Sequence, residues 1–290
     1  MPLVSPRFRR ALLAAAAVVI FPILAGATYQ GVATALERRQ FPHPGQLVDV
    51  GGHQLHIHCT GEGTPAVVLE APATGMSSVW SLVQPALGKT TRTCSYDRAG
   101  LGWSEAGDRP FDPSAVSDQL HALLGGARAE GPYVLVGQGL GAAFATLYAA
   151  RYESEVRALV LIDAPTLETP DTPPQTTRQL VQAAPWLART GILRATRLLS
   201  QHAAGLPEPS AGALRAFLNR PDHLTRAAVE LSRWEDTVAL AAGTPVADHV
   251  RIVRVGDGGR ERLGFLTDSA AAEAAIAAIR DTIAAVRDDR

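Results

Sequence analysis

Few side chains in this sequence have a type and spacing that suggest chemistry. Three of the eight histidines, His53, His56 and His58, lie in one short segment, and His56 and His58 point to the same face if that segment is a β-strand. A protein zinc site needs three or four ligands, and no further ligand is near in sequence. The pattern therefore predicts no metal site. Ser77 and Ser78 are candidate substitute nucleophiles, but they open a helix predicted at about residues 78–87, where serine most often serves as a cap.

The two cysteines, Cys59 and Cys94, are the only thiols in the chain. Two thiolates alone are too few for a zinc site, so the simplest interpretation is two buried small hydrophobic residues. A location outside the cytoplasm would also permit a disulfide between them. Sequence alone does not choose between these interpretations.

Length and composition bound the classes of protein. The chain has 290 residues, of which 47% are hydrophobic and 19% charged, which is enough to bury a substantial core in one domain. The formal net charge is -1, and no cluster of lysine and arginine marks a basic face. Nucleic-acid binding is therefore excluded as an interpretation. No cofactor motif is recognised.

The N-terminal segment has the features of a membrane signal. A basic tail at residues 1–10, with Arg7, Arg9 and Arg10, precedes an uncharged apolar segment, and residues 11–32 are long enough to span a bilayer as a helix. Residues 33–45 are interpreted as a linker. The preceding basic residues favour a cytoplasmic N-terminus, with the folded part on the outer face of the membrane. The alternative is a signal peptide cleaved at Ala25-Gly26-Ala27, which would release a secreted protein.

From residue 46 to 290, short β-rich runs alternate with helical segments. This alternation predicts an α/β domain with a mostly parallel sheet and helices on both faces, opened by an antiparallel hairpin at residues 46–50 and 54–59. Prolines interrupt the alternation after residue 163, and a helical cap is predicted at about residues 164–247. One strand, at 250–255, and a long helix, at 268–286, follow the cap.

Four motifs follow one another in the first half of this domain. They are Gly52-His53-Gln54-Leu55-His56-Ile57-His58-Cys59-Thr60-Gly61, Val68-Leu69-Glu70-Ala71, Ser95-Tyr96-Asp97-Arg98-Ala99-Gly100-Leu101-Gly102-Trp103-Ser104 and Val134-Leu135-Val136-Gly137-Gln138-Gly139-Leu140-Gly141. In this order they resemble membrane-associated bacterial α/β-hydrolases of the serine type. The resemblance covers about residues 46–163, and the cap and C-terminal part match only in general character. Within it, Asp97-Arg98 is interpreted as a structural ion pair or a loop anchor.

The resemblance implies a Gly-x-Ser-x-Gly elbow, in which a sharp turn between strand and helix raises the nucleophilic serine above the sheet. Gly137 and Gly141 stand at the outer positions, but Gly139 stands at the position of the serine. A glycine has no side chain that can attack a carbonyl carbon. The covalent route of serine hydrolases is therefore predicted to be closed, while the fold is unharmed because glycine tolerates positive φ.

The other implied catalytic groups are altered as well. The family places a histidine after the last strand, where this chain has Arg260, and arginine stays protonated and cannot act as a base. Asp163 and Asp257 are candidate acids, although each is more simply interpreted as a cap of a helix or turn. The C-terminal part is also predicted to be shortened by a strand and a helix.

The oxyanion-binding loop is the remaining part of the implied site. It begins at Pro72, which has no backbone N–H, but the amides of Ala73 and Leu140 still offer two donors to a polar ligand. The first functional hypothesis is thus a membrane-anchored hydrolase-fold protein without serine-hydrolase activity, which binds a small apolar or ester-like ligand. The alternatives are an active esterase that uses Ser77, or a water activated by Asp163 or His249, and a non-catalytic interaction domain.

Overall fold

The computed structural model describes residues 5–166, 173–256 and 266–289. It begins with one long helix, α1 (Pro6–Gln40), which includes the predicted span and continues into the segment interpreted as a linker. Ser5 caps the helix by accepting a hydrogen bond from the Phe8 amide, and Pro6 occupies the first turn, where a proline costs no hydrogen bond. Within the described residues, α1 alone is long and apolar enough to cross a membrane.

Seven strands of the described residues form one mixed sheet in the order β1-β2-β4-β3-β5-β6-β7. The first two strands form the predicted hairpin, β2 pairs antiparallel with β4, and the remaining strands run parallel. The strands are β1 (Gln46–Asp49), β2 (Gln54–Thr60), β3 (Ala66–Glu70), β4 (Thr93–Tyr96), β5 (Tyr133–Gln138), β6 (Val156–Ile162) and β7 (Arg251–Val255). The central strands β3 and β5 are buried along their whole length, as expected for a sheet that is covered on both faces.

Helices cover both faces of the sheet, which confirms the predicted fold class. One face packs against α3 and α4, and the other packs against α10, the 3-10 helix Ser77–Trp80 and α7 of the cap. Outside the cap, the helices that follow α1 are α2 (Gln84–Leu87), α3 (Pro113–Gly126), α4 (Leu140–Arg151) and α10 (Ser269–Asp288). After the cap, the described residues contain the single strand β7 and the single helix α10.

The cap is helical, as predicted. Its helices are α5 (Gln175–Arg189), α6 (Ile192–Thr196), α7 (Ser210–Phe217), α8 (Pro221–Ser232) and α9 (Trp234–Ala242). Helix α9 closes over α4, where the buried Trp234 and Val238 pack in one apolar cluster with Phe144. The helix that begins at the elbow is therefore enclosed between the sheet and the cap.

The predicted helix at residues 78–87 is divided in the structure. A 3-10 helix, Ser77–Trp80, is followed by the short helix α2, because Pro85 stands in the first turn of α2 and cannot continue an earlier helix. The interpretation of Ser77 and Ser78 as caps is wrong. Met76 occupies the cap position without a capping side chain, and both serines are buried inside the 3-10 helix.

Cys59 and Cys94 form a disulfide, so the interpretation as two separate buried residues is wrong. The two residues are direct cross-strand partners of β2 and β4, which explains why they meet although 35 positions separate them. Their spacing in the sequence does not indicate this register, since it depends on a pairing of strands that are not consecutive.

The second half of α1 packs on the cap. Gly26 lies so close to the Thr190 carbonyl that no side chain would fit there. Farther along the helix, the buried Gln30 donates to the Asn219 carbonyl oxygen at 2.6 Å and accepts from Arg194 Nε at 2.9 Å, and Arg194 also pairs with Glu37. The apolar helix and the cap are thus joined by polar contacts as well as by close packing.

Candidate functional site

The turn between β5 and α4 has the geometry of a nucleophile elbow. Gly139 adopts φ 53° and ψ -123°, a conformation that glycine enters freely and other residues enter with strain. Its amide donates to the Ile162 carbonyl oxygen at 2.9 Å, which fixes the turn against the end of β6. Position 139 is therefore held at the carboxyl end of β5, where the chain turns into α4.

The outer glycines of the elbow are required by close packing. A Cβ on Gly137 would lie 2.5 Å from the Gly141 carbonyl oxygen, and a Cβ on Gly141 would lie 2.5 Å from the Ala71 carbonyl oxygen. These distances are far inside van der Waals contact, so only glycine fits at either position. The elbow is thus structurally intact, and position 139 alone lacks the side chain that such a turn presents.

Each of the eight histidines lies among the described residues, and six have a hydrogen-bond partner away from the elbow. His223 bonds Gly102 and Thr74, and the other partners are Gly45 for His43, Asp97 for His56, Glu155 for His121, Leu199 for His202 and Glu153 for His249. His53 packs against Gly107, and His58 lines a separate cavity. None of these contacts includes Gly139 or Leu140. Arg260 and Asp257 lie outside the described residues.

The loop after β3 forms a tight turn. The Gly75 amide donates to the Pro72 carbonyl oxygen at 3.0 Å, and Thr74 takes φ 64° at the third position of the turn, where glycine is the usual residue. Ala73 and Leu140 are both buried, and their amides have no acceptor within the part of the chain that the structure describes. The two amides that the sequence offers as donors are therefore unengaged.

A buried charge cluster holds this loop in place. The Arg98 guanidinium donates to Glu70 at 2.6 Å and to both oxygens of Glu230 at 3.0 and 2.7 Å, and it also donates to the carbonyl oxygens of Ala71 and Pro72 at 2.7 and 3.2 Å. Arg98, Glu70 and Glu230 are almost completely inaccessible to solvent. Arg98 thus ties the loop to β3 and to the cap helix α8.

Burial raises the pKa of Glu70 to about 6, and Arg98 limits this rise. The Tyr96 hydroxyl donates to the other carboxylate oxygen of Glu70, and burial raises the pKa of Tyr96. Burial alone would lower the pKa of Arg98, but Glu230 and Glu70 outweigh it and raise that pKa above its ordinary value. Arg98 is therefore the permanent positive charge around which the cluster is arranged.

Asp97 does not pair with its neighbour Arg98, so of the two interpretations the loop anchor is confirmed and a mutual ion pair is wrong. One Asp97 oxygen accepts from the Ser77 amide at 2.6 Å, and the other accepts from the Trp103 amide at 2.9 Å and contacts His56 Nδ1 at 3.0 Å. Burial opposes ionisation, but His56 and these amides outweigh it and lower the pKa of Asp97. The Asp97 carboxylate thus joins the backbone at Ser77 and at Trp103 to His56 of β2.

Ser77, His56 and Asp97 meet, but not in the order of a catalytic triad. The Ser77 hydroxyl lies 3.5 Å from His56 Nδ1, the same ring nitrogen that contacts Asp97. In a working triad the acid binds one imidazole nitrogen and the serine binds the other. His56 Nε2 is buried without a hydrogen-bond partner among the described residues. This arrangement orients the imidazole but gives Ser77 no free base.

A family model described as the alpha/beta hydrolase fold matches residues 65–248. The chain belongs to the α/β-hydrolase fold family. The match includes the elbow, the loop after β3, the Arg98 cluster and the whole of the cap at residues 164–247. Membership confirms the fold that the four motifs implied. It does not by itself assign an activity, because the same family fold supports many functions.

Relatives of this α/β-hydrolase fold protein match only part of its chain. An uncharacterised protein of Schizosaccharomyces pombe is 39% identical over 113 residues, which cover 39% of this chain and 21% of that protein. The 2-hydroxymuconate semialdehyde hydrolase of Pseudomonas sp. CF600 is 28% identical over 134 residues, 45% of this chain and 47% of that enzyme. An uncharacterised vacuolar membrane protein of Saccharomyces cerevisiae is 29% identical over 130 residues, 39% of this chain and 20% of that protein. The chain spans less than half the length of each of these relatives.

Solved structures extend the likeness to most of the α/β-hydrolase fold. The epoxide hydrolase CorEH superposes with a TM-score of 0.63 at 17% identity, over 83% of this chain and 98% of that one. The Cif epoxide hydrolase of Acinetobacter nosocomialis superposes with a TM-score of 0.64 at 14% identity, over 85% and 95% of the two chains. At these identities the likeness shows the fold alone.

Asp163 stands at the end of β6, beside the elbow strand. It adopts φ 46°, and its amide donates to the Val255 carbonyl oxygen at 2.9 Å. Its carboxylate occupies the space in which a Cβ on Gly256 would lie, so it faces the end of β7. Residues 164–166 form no helix, so Asp163 is not a helix cap, while the interpretation as a cap of a turn stays a prediction. The structure places Asp163 between two strand ends near the elbow.

His223 and Glu230 of α8 contact the site although the sequence did not point to them. Nδ1 of His223 accepts from the Gly102 amide at 3.0 Å, and Nε2 lies 3.1 Å from the Thr74 carbonyl oxygen. The ring thus joins the cap to two loops at once, as the neutral tautomer with its proton on Nε2. A signal was present in the sequence, because Leu224, Ala227 and Leu231 define the buried face of α8 and Glu230 falls on it.

Acid is expected to break the His223 bridge. Burial lowers the pKa of His223 below its ordinary value of about 6.5. At pH values between the lowered pKa and about 6.5, the unfolded chain binds more protons at His223 than the folded chain does. The stability that His223 contributes is therefore complete above about pH 6.5 and is lost as pH falls through this range. Chemical unfolding measured between pH 5 and pH 8 is the test. His223→Gln keeps one acceptor and one donor, and its unfolding free energy should fall less than that of the wild type.

The same titration also includes Glu70, whose contribution has the opposite sign. Because its folded-state pKa is raised to about 6, Glu70 makes the folded state less stable as pH rises through that value. Comparison of the wild type with His223→Gln removes this shared background. Parallel pH profiles for the two proteins would contradict the role assigned to His223.

Proposed function

We propose that this protein is a membrane-anchored member of the α/β-hydrolase fold family that binds a small apolar or ester-like ligand without hydrolysing it. The observation that carries the proposal is Gly139, which occupies the nucleophile position of an elbow whose other geometry is preserved. Loss of the nucleophile alone removes nearly all triad-dependent catalysis. The histidines support the same conclusion for the general base, the second catalytic group of a triad, because none of their described contacts includes Gly139 or Leu140.

The loop after β3 supports retained binding. Arg98 fixes the carbonyl oxygens of Ala71 and Pro72, and His223 fixes that of Thr74, so the loop is held by contacts that a decaying site would not need. The amides of Ala73 and Leu140 are left as donors for a carbonyl or hydroxyl oxygen of a ligand. Binding without turnover requires only these donors and an apolar surface.

Helix α1 and the neighbouring surface of the cap support the membrane location. Trp186 lies one helical turn before Thr190, the residue that contacts Gly26, and its side chain is 70% exposed. Ile192, just after this contact, is 48% exposed. Exposed tryptophan beside an apolar helix is typical of the membrane interface. In this proposal α1 is retained as an anchor, because Gly26, Gln30 and Glu37 all contact the cap, and the disulfide fits an outer-face location.

Labelling with a fluorophosphonate and turnover of p-nitrophenyl acetate test the absence of serine-hydrolase activity. We expect the full chain in detergent to be unlabelled and its rate to equal the buffer blank. Gly139→Ser restores the hydroxyl but no histidine, so it should also stay at the blank, with a modest loss of stability because φ 53° strains a residue with a Cβ. Labelling of any serine between the cap helices and the elbow of the wild type would refute the proposal.

The contact between Ser77, His56 and Asp97 is the observation that favours the alternative, an esterase with relocated catalytic residues. The same assays distinguish the two. Turnover by the wild type that is lost in Ser77→Ala would establish the alternative, and His249→Ala serves as the matched test of the second candidate base. If the proposal is right, all three proteins show the same rate as the blank.

A further inference from the structure

The part of α1 that precedes the cap is short for a bilayer, which brings the cap to the membrane surface. Helix α1 meets the cap where Gly26 lies against the Thr190 carbonyl oxygen, and a Cβ on Gly191 would lie only 2.8 Å from the Gly26 carbonyl oxygen. From Ala11 to this contact the helix is about 24 Å long, whereas the hydrocarbon core of a bilayer is about 30 Å thick. If Arg10 stays at the cytoplasmic surface, the contact therefore reaches no farther than the outer edge of the hydrocarbon.

The surface of the cap beside this contact is apolar. Outside α1, seven large apolar side chains are exposed in the part of the chain that the structure describes, and four of them lie at positions 180–198. Their exposed fractions are 45% for Leu180, 70% for Trp186, 48% for Ile192 and 46% for Leu198. Scattered exposure of single apolar residues is normal, but a concentration in one short segment indicates a binding surface.

Helix α5 presents this surface because its other side is buried in the cap. Ala184 and Ala188 belong to a buried apolar cluster with Leu193 and Leu224, and Trp186 lies on the opposite side of the helix. One helical turn after Trp186, the chain touches α1. Trp186 is therefore held near the level at which α1 leaves the bilayer.

The same segment of the cap is basic. Positions 172–207 contain four arginines and no aspartate or glutamate, although the whole chain has a formal net charge of only -1. Two of these arginines pair with glutamates of α1 and α9, whereas Arg189 and Arg197 have no carboxylate partner among the described residues. Exposed apolar side chains beside unpaired arginines are typical of an element that lies on a membrane with anionic lipids.

A lipid surface fits this site better than a soluble protein does. The Arg189 guanidinium lies over the Trp186 ring, with Cζ 4.9 Å from the ring centre, so the pair joins an apolar ring to a positive charge. Tryptophan prefers the membrane interface, and arginine binds phosphate through two parallel hydrogen bonds. The surface also continues into the apolar part of α1, so a protein that covered it would have to displace lipid.

We propose that the cap is itself a membrane-docking surface, in which Trp186 and Ile192 lie among the upper acyl chains and Arg189 binds the phosphate of an anionic lipid. The docking depends on one step of the proposed function, the role of α1 as an anchor. It goes beyond that function because an anchor alone leaves the domain free to tilt on the membrane, whereas a docked cap fixes its orientation. The docking uses no residue of the elbow.

Quenching of tryptophan fluorescence by brominated lipids tests the docking. The full chain is reconstituted in vesicles of phosphatidylcholine and phosphatidylglycerol that carry bromine either near the head group or near the end of the acyl chains. Trp80 and Trp234 are buried and Trp103 is partly buried, so the difference between the wild type and Trp186→Phe reports on Trp186. We expect this difference signal to be quenched more strongly by the shallow bromine than by the deep one.

Two pairs of matched variants test which contacts hold the cap, with the quenched and unquenched fractions of Trp186 as the measure of docked and undocked cap. Ile192 and Ile252 are both 48% exposed, but Ile252 lies on the edge strand β7. Ile192→Ser should lower the ratio of docked to undocked cap at least about fivefold, because it removes apolar area from the lipid, and Ile252→Ser should not. Arg189→Gln should lower the ratio about fivefold in vesicles with phosphatidylglycerol and little without it. Arg157→Gln, at an exposed position of β6, is the control for charge, and unfolding midpoints confirm that each variant is folded.

Flotation of the vesicles in sodium carbonate separates the docking from the anchor. Protein that floats while Trp186 stays unquenched would overturn the docking and leave α1 as an anchor. Protein that does not float would overturn both, since the docking depends on the anchor. Equal losses with Ile192→Ser and Ile252→Ser, or an Arg189→Gln effect that is the same in both kinds of vesicle, would also overturn the docking, because nonspecific contact with lipid would then explain the quenching.

Discussion

Replacement of Arg98 by methionine is expected to lower the free energy of unfolding by about 3 to 5 kcal/mol, the range for breaking a buried ion pair from one side. The variant leaves Glu70 buried without a cation and leaves Glu230 with only the more distant Arg226, at 3.5 Å, and it frees the carbonyl oxygens of Ala71 and Pro72. Arg151→Met is the matched control. Arg151 pairs with Asp118, but both side chains are about half exposed, so its loss should have little effect.

The pH dependence of the Arg98→Met defect provides a sharper test than its size at one pH. Without Arg98, both glutamates can avoid the cost of burial by taking up protons, which raises their pKa values further. The difference in unfolding free energy between variant and wild type should therefore shrink as pH falls from 7 to 5. A second variant, with Glu70→Gln and Glu230→Gln added, should recover much of the loss. A defect that is independent of pH and unaffected by these changes would contradict the cluster as described.

Much of the fold could be predicted from the sequence because the central strands are continuous apolar runs. This pattern predicts strands at residues 66–70 and 133–137, and the structure places them at β3 and β5. The order of the strands in the sheet was not predicted, because it depends on pairing between strands that are not consecutive in the sequence. The helix predicted at residues 78–87 is the main error, because hydrophobic periodicity hides the effect of Pro85.

The candidate site was only partly accessible from the sequence. Position 139 could be identified because the elbow is a local motif, in which the strand, the turn and the helix are consecutive. Glu230 and His223 reach the loops around Arg98 from more than a hundred positions away, and this contact depends on how the cap docks.

Removal of the disulfide is the second large effect that we expect. Cys59→Ala with Cys94→Ala should lower the unfolding free energy by about 3 to 4 kcal/mol, because the bond restricts a loop of this length in the unfolded chain. The bond joins β2 to β4, and β2 also pairs antiparallel with the edge strand β1. Its loss should therefore weaken the packing of β1 and β2 before that of the elbow, which follows β5.

Reduction of the wild type provides the control for these substitutions. Dithiothreitol should destabilise the wild type about as much as the double substitution does, and it should not change the variant. The state of the cysteines in cells also bears on location, because disulfides persist outside the cytoplasm and are rare within it. If the domain lies on the outer face of the membrane, an alkylating reagent added during lysis should modify neither cysteine, because both are held in the disulfide. Two alkylated cysteines would instead place the domain in a reducing compartment and contradict the orientation inferred from Arg7, Arg9 and Arg10.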